Sequence, residues 1–179
     1  MLYKDAIKKY GNPDKDGDGK LDAEWVKENL AIFTSPFPLQ ISWGDRVYTT
    51  RFQAHKLAGN KMVEALTKML ENAAILMLGN EYDGADAERR VVAGKTYIKS
   101  HKHDQFDGVF NFRPQRNGRA MSLHSLGIAI DLNAYIGAYG SAAGALSYPR
   151  YIVDAFEAAG FEWGGDWAFP DAMHFQVIE

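Results

Sequence analysis

The chain has 179 residues, 46% of them hydrophobic and 24% charged, and a formal net charge of −3. That is enough chain for one domain with a real core, and too little net charge for a nucleic-acid or anionic-membrane partner. There is no cysteine, so disulfides and thiolate zinc sites are excluded and a transition metal must be held by His, Asp or Glu.

The start, Met1-Leu2-Tyr3-Lys4-Asp5, lacks a basic stretch followed by an apolar one, so no signal peptide is expected. The longest apolar run, Ala73 to Leu78, is too short to span a bilayer. Asp5 to Tyr10 predicts a short helix that stops at Gly11-Asn12-Pro13. After the acidic segment DKDGDGKLDAEW, a second helix is expected through Val26, Leu30 and Ile32. Residues 1–34 therefore read as a small helical unit, and TSPFPLQISWG as a connector, because proline removes a donor and biases the residue before it away from helix. The second unit is expected over residues 41–179.

From Thr49, the spacing of Phe52, His55, Leu57, Met62, Val63, Leu66, Met69 and Leu70 predicts a helix, with Gly59-Asn60 as a break. GNEYDGADAERR reads as a loop and VVAGKTYI as more strand-like. GVFNFRP and LGIAIDLN predict strands, RNGRAMS a loop, and YIGAYGSAAGAL a glycine-rich loop. Tyr151 to Ala159 predicts a helix ended by Gly160, and HFQVIE a last strand. The fold class expected is α+β: a small antiparallel sheet carrying the site, helices on one side, and a short helical N-terminal unit.

Two residues do not suit their surroundings. Asp131 ends the apolar run Ile128-Ala129-Ile130, and His124 lies seven residues before it. Were these to meet His174, two imidazoles and one carboxylate would face one point, a common catalytic zinc set with a position left for water. A divalent cation would then offset a buried charge that otherwise costs several kcal/mol. Alone, the His–Asp spacing is equally that of a capping or hydrogen-bonded pair. His101 and His103 are weaker metal candidates in a polar loop, and His55 reads as a packed or surface histidine.

The acidic segment resembles an EF-hand calcium loop. Asp14, Asp16 and Asp18 stand at positions one, three and five, Gly19 at six, Lys20 offers its carbonyl at seven, and Asp22 stands at nine. Trp25 replaces the bidentate glutamate at twelve, with Glu24 one residue early. Calcium is expected here, bracing the N-terminal unit against the rest; the alternative is an acidic, glycine-rich turn.

SLHSLGIAID, with Ser122, His124, Gly127, Ala129 and Asp131, resembles the SxHxxGxAxD signature of the VanY-like zinc D-Ala-D-Ala carboxypeptidases and phage endolysin L-Ala-D-Glu peptidases. GGDWAFPDAMHF resembles the family's second signature, with an acidic residue three positions before the last histidine, and FNFRP its upstream arginine motif. The resemblance implies that His124, Asp131 and His174 hold zinc, that Asp171 is the base, and that Arg113 stabilises the oxyanion, with Arg116 as the other candidate. Ser122 is expected to support the loop or touch substrate, and Asp166 to brace the loop or hydrogen-bond a ligand histidine. The base is glutamate in several branches of the family; aspartate is one methylene shorter, so its reach must be set by the backbone.

The resemblance implies a zinc peptidase acting on the stem peptide of bacterial peptidoglycan. The expected form is a phage endolysin cutting L-Ala–D-Glu, monomeric, without nucleic-acid partner or membrane insertion. It would wait in the host cytoplasm until release, or ride on the virion. The alternatives are a D-Ala-D-Ala carboxypeptidase, a non-catalytic wall-binding module, or a calcium-regulated virion protein.

Overall fold

The computed structural model describes every residue except 44, 46, 116–119 and 179. Among the described residues, six helices and a six-stranded sheet form an α+β fold. The helices are α1 (Tyr3–Tyr10), α2 (Ala23–Asn29), α3 (Gly59–Leu78), α4 (Ala87–Ser100), α5 (Ala142–Ser147) and α6 (Arg150–Ala158). The strands are β1 (Leu30–Ile41), β2 (Tyr48–His55), β3 (Gln105–Gly108), β4 (Ala129–Leu132), β5 (Phe161–Trp163) and β6 (His174–Val177). Their order is β2-β1-β3-β4-β6-β5. All neighbours are antiparallel except β1 and β3, so the sheet is mixed rather than purely antiparallel.

The alternation of β4, β5 and β6 separates a packing face from a chemical one, because side chains of successive strand residues point to opposite faces. Ile130 pairs with Phe175, and Phe175 with Trp163. This row lies on the helix side, where the Phe156 ring of α6 stacks on Phe175 with centroids 4.3 Å apart. The intervening pairs, Asp131 with His174, Ala129 with Gln176, and Gln176 with Glu162, share the opposite face. α3 lays Met62, Leu66, Met69, Leu70 and Ala73 into the core, at the spacing of one helix face.

Several segments differ from the sequence expectation. GVFNFRP forms no strand of its own: β3 ends at Gly108, and Pro114 makes an isolated bridge to Met121. Leu30 and Ile32 belong to β1 rather than α2, and Ala142–Ser147 of the glycine-rich stretch forms α5. The proline-marked connector is part of β1; Pro36 and Pro38 fall where the pairing with β2 shifts register, between Thr34 and Leu39, the place in a sheet where missing donors are tolerated. The helix expected from Thr49 starts only at Gly59, and residues 48–55 pair with β1. VVAGKTYI is inside α4, capped by the Asp86 carboxylate, which accepts from Arg89 N–H at 2.8 Å. Gly94 permits this packing: a Cβ there would lie 2.4 Å from the Leu70 carbonyl oxygen of α3.

The N-terminal helices join the main core. Trp25 is buried and donates its indole N–H to the Tyr10 carbonyl at 3.2 Å. His55 is a packed core residue, with Nε2 donating to the same carbonyl at 3.1 Å and Nδ1 accepting from Leu57 N–H. One residue ties this layer to the site. Gly127 has φ +66°, and a Cβ there would lie 2.8 Å from the backbone nitrogen of His55. Left-handed backbone alone costs a non-glycine residue about 1–2 kcal/mol, and the neighbour is backbone that cannot yield. Gly127→Ala is expected to lower unfolding free energy by about 2–3 kcal/mol, measured by urea denaturation at unchanged m-value.

Candidate metal centre

His124 sits in a 3₁₀ turn, Leu123–Leu126, between β3 and β4. Serines fix that turn. The Ser122 hydroxyl accepts from the His124 amide at 3.3 Å. Ser125 Oγ donates to the Arg113 carbonyl at 2.9 Å and accepts from the Arg113 amide at 3.0 Å. Asp131 and His174 are direct cross-strand partners on β4 and β6. Sheet register therefore places two of the three groups, and the serine-bounded turn places the third.

The three side chains are buried and converge. His124 Nε2 lies 3.1 Å from Asp131 Oδ1, His174 Nδ1 lies 2.9 Å from the same oxygen, and the two nitrogens are 3.2 Å apart. Donors bonded to a tetrahedral zinc ion at about 2.0–2.1 Å stand about 3.3 Å from one another, so the triangle has the size that such an ion needs. Two imidazoles with one carboxylate suit zinc or a similar first-row ion rather than calcium or magnesium, which take oxygen. The His124 tautomer is set correctly as well. Its Nδ1 donates to the Val109 carbonyl at 2.7 Å, which leaves the Nε2 lone pair for a metal.

The electrostatics are those of a strongly coupled cluster. Burial works against the Asp131 charge, yet the facing His124 and His174 imidazoles hold its carboxyl far below the ordinary carboxylate range. Burial would lower the His174 pKa, but Asp131 first and then Asp171 raise it above the usual histidine value.

Asp171, Arg113 and Ser122 line the same cleft as the three donors, with Trp167, Phe169 and Tyr139. This recess has a volume of about 660 Å³. A second, of about 560 Å³, lies beside Ser42, Asp107 and Asn111, and the two share Arg113, Gln115, Asp131 and Met173. Asp171 is held by its backbone: its N–H donates to the Gly164 carbonyl at 2.9 Å, and its carbonyl accepts from His174 N–H at 3.0 Å. Arg113 Nη1 donates to the Pro114 carbonyl at 3.2 Å. Arg116 lies outside the described residues.

Among the described residues, His101 and His103 join no group that could hold a metal ion. They sit in an aromatic group with Tyr97 and Tyr151, and His103 Nδ1 is 2.9 Å from the Tyr151 hydroxyl. His174 Nε2 lies 3.2 Å from Gln176 Oε1. Gln176 and its partner Glu162 went unnoticed in the sequence, where the one available signal was the position of Gln176, two residues along a strand from a ligand.

The acidic loop brings Asp14, Asp16 and Asp18 together with ligand atoms within 4.8 Å of one another. Gly17 and Gly19 take φ +74° and +81°, turning the carboxylates inward. Asp14 Oδ2 accepts from Gly19 N–H, Asp16 Oδ1 from Asp18 N–H and Asp18 Oδ1 from Lys20 N–H. Asp22 stands outside that group, its Oδ2 accepting from Lys15 N–H at 3.0 Å. Trp25, at position twelve, is a core residue.

No match to the chain is found among curated proteins or among solved structures. A family model described as D-alanyl-D-alanine carboxypeptidase matches residues 115–177. The matched stretch holds Ser122, His124, Asp131, Asp171 and His174, and leaves out Arg113 and the acidic loop. The resemblance read from the two signatures therefore stands, and residues 115–177 carry the pattern of the D-alanyl-D-alanine carboxypeptidase family.

Proposed function

We propose that this chain is a zinc-dependent peptidase that cuts the stem peptide of bacterial peptidoglycan between L-Ala and D-Glu, as an endolysin does. The observation that carries the zinc reading is the convergence of His124 Nε2, Asp131 Oδ1 and His174 Nδ1 within 2.9–3.2 Å. Zinc held by these donors supplies Lewis-acid polarisation of a carbonyl and acidifies a water. The Asp171 carboxylate takes the proton of the attacking water and returns it to the departing amine. Arg113, which lines the same cleft, stabilises the negative charge that develops on the carbonyl oxygen. Ser122 contributes by fixing the His124 turn and by lining the cleft that receives the peptide.

The cleft and the adjoining recess, which share Arg113, Gln115, Asp131 and Met173, offer more room beside the donors than one terminal residue fills, and this suits an internal peptide bond. The family description favours a second reading, removal of the terminal D-alanine. Mass spectrometry of muropeptides digested by the zinc-loaded protein separates the two. A stem released from L-Ala supports the endopeptidase, loss of one alanine supports the carboxypeptidase, and wall binding without products defeats both.

Calcium at the acidic loop belongs to the same proposal. Asp14 Oδ1 is buried and makes no hydrogen bond among the described residues, an oxygen that a hard cation would satisfy. The loop closes at its base through Asp22 N–H to the Pro13 carbonyl, 2.8 Å, and leads into α2 with its buried Trp25. Saturating calcium is expected to raise the melting temperature by about 5–10 °C, and the gain should vanish in Asp14→Asn. An unchanged melt with calcium would remove this part of the reading.

A further inference from the structure

We infer that Glu162 is a positioning residue: acting through Gln176, it fixes which nitrogen of His174 faces the metal. This rests on the zinc reading, and its geometry is independent of which peptide bond is cut. Gln176 lies two residues beyond His174 on β6, and Glu162 of β5 is its cross-strand partner. Glu162 Oε1 accepts the Trp167 indole N–H at 2.9 Å, and Oε2 accepts Gln176 Nε2–H at 2.6 Å. The amino group of Met1 lies 3.4 Å from the same Oε2.

The order of donors and acceptors follows from the carboxylate. An ionised carboxylate only accepts hydrogen bonds, so the Gln176 amide must turn its nitrogen to Glu162. Its oxygen then faces His174 Nε2 at 3.2 Å. That oxygen also only accepts, so His174 Nε2 carries the hydrogen. A neutral imidazole has one N–H, which leaves the Nδ1 lone pair pointing at Asp131 Oδ1 and His124 Nε2. Were the amide reversed, Nε2 would accept, and an N–H on Nδ1 would point to where the ion must sit. Partial burial works against the Glu162 charge, but hydrogen bonds from Trp167 and Gln176 hold its carboxyl below the ordinary range, so it stays ionised when a zinc peptidase would work. The two ligand histidines thus present opposite nitrogens. His124 is oriented directly by the Val109 carbonyl, and His174 by a carboxylate acting at one remove.

The test compares Glu162→Gln with the swapped pair Glu162→Gln/Gln176→Glu. In the single variant, two amides face each other and the direction of the relay is lost. Zinc affinity, read by competition with a chromogenic chelator, is expected to fall about 10–100-fold, and the visible spectrum of the cobalt-loaded protein should change. The swap places a carboxylate directly on His174 Nε2–H, and the amide introduced at position 162 can still donate to that carboxylate and accept from Trp167. It is expected to recover most of the lost affinity. Zinc affinity in Glu162→Gln equal to the parent, or a swap no better than the single variant, overturns the inference. Long-range ¹⁵N–¹H imidazole spectra of the unsubstituted protein, stripped of metal at alkaline pH, should show His174 as the Nε2–H tautomer; the Nδ1–H tautomer overturns it even if a variant fails to fold. Zinc binding without hydrolysis would defeat the peptidase reading and leave the relay standing.

Discussion

Replacing Asp171 with asparagine is expected to leave one zinc ion per chain and an unchanged thermal melt, while kcat on muropeptides falls about a hundred- to ten-thousandfold, the usual worth of a general base. Asparagine is isosteric, and the backbone of residue 171 is held through Gly164 and His174. The approach is close: a Cβ on Gly164 would lie 2.5 Å from the Asp171 carbonyl oxygen, so glycine is what lets this turn come down beside the ligand strand. The charge of Asp171 acts on His174, which ties it electrically to the metal donors, and it lines their cleft. KM should move little, because the group is asked to handle a proton rather than to bind substrate. Full activity in a zinc-loaded Asp171→Asn protein would remove Asp171 from the mechanism.

The parts of this site that the sequence made legible are those written in contiguous residues. His124, Asp131 and His174 carry a signature, and β4, β6 and α6 form where local pattern places them. The parts that it hid depend on pairing across the fold. Glu162 and Gln176 meet only because β5 and β6 adopt one register; a slip of β5 by one residue would turn Glu162 to the helix face and away from Gln176. Pro36 and Pro38 argued against a strand, and only the register break in β1 makes room for them. Val91 and Val92, both exposed on α4, lean toward strand by β-branching, but Asp86 as cap and the close approach of Gly94 to α3 decide for helix. Tertiary packing overrides weak local preference at each of these places.

Stripping the protein of zinc is expected to abolish hydrolysis, with recovery on adding zinc back, and to change how stability depends on pH. The depressed Asp131 carboxyl contributes stability that is fully present above its unfolded pKa of about 3.9 and is lost as pH falls through the folded value. The raised His174 contributes stability that is fully present below its unfolded pKa of about 6.5 and is lost as pH rises through the folded value. In the metal-free protein this cluster is therefore most stabilising between about pH 4 and about pH 6.5. Zinc has the opposite demand, since it binds neutral imidazole and competes with protons for His124 and His174. Zinc at a hundredfold excess over its dissociation constant stabilises by about 2.7 kcal/mol, or roughly 5–10 °C in a chain of this size. The gain in melting temperature on adding zinc should accordingly be near its full value at about pH 8 and small at about pH 5. Asp131→Ala should erase both the acid-side stability of the metal-free protein and the alkaline-side gain from zinc. A zinc-induced shift of equal size at both pH values would mean that the ion is held by something other than these imidazoles.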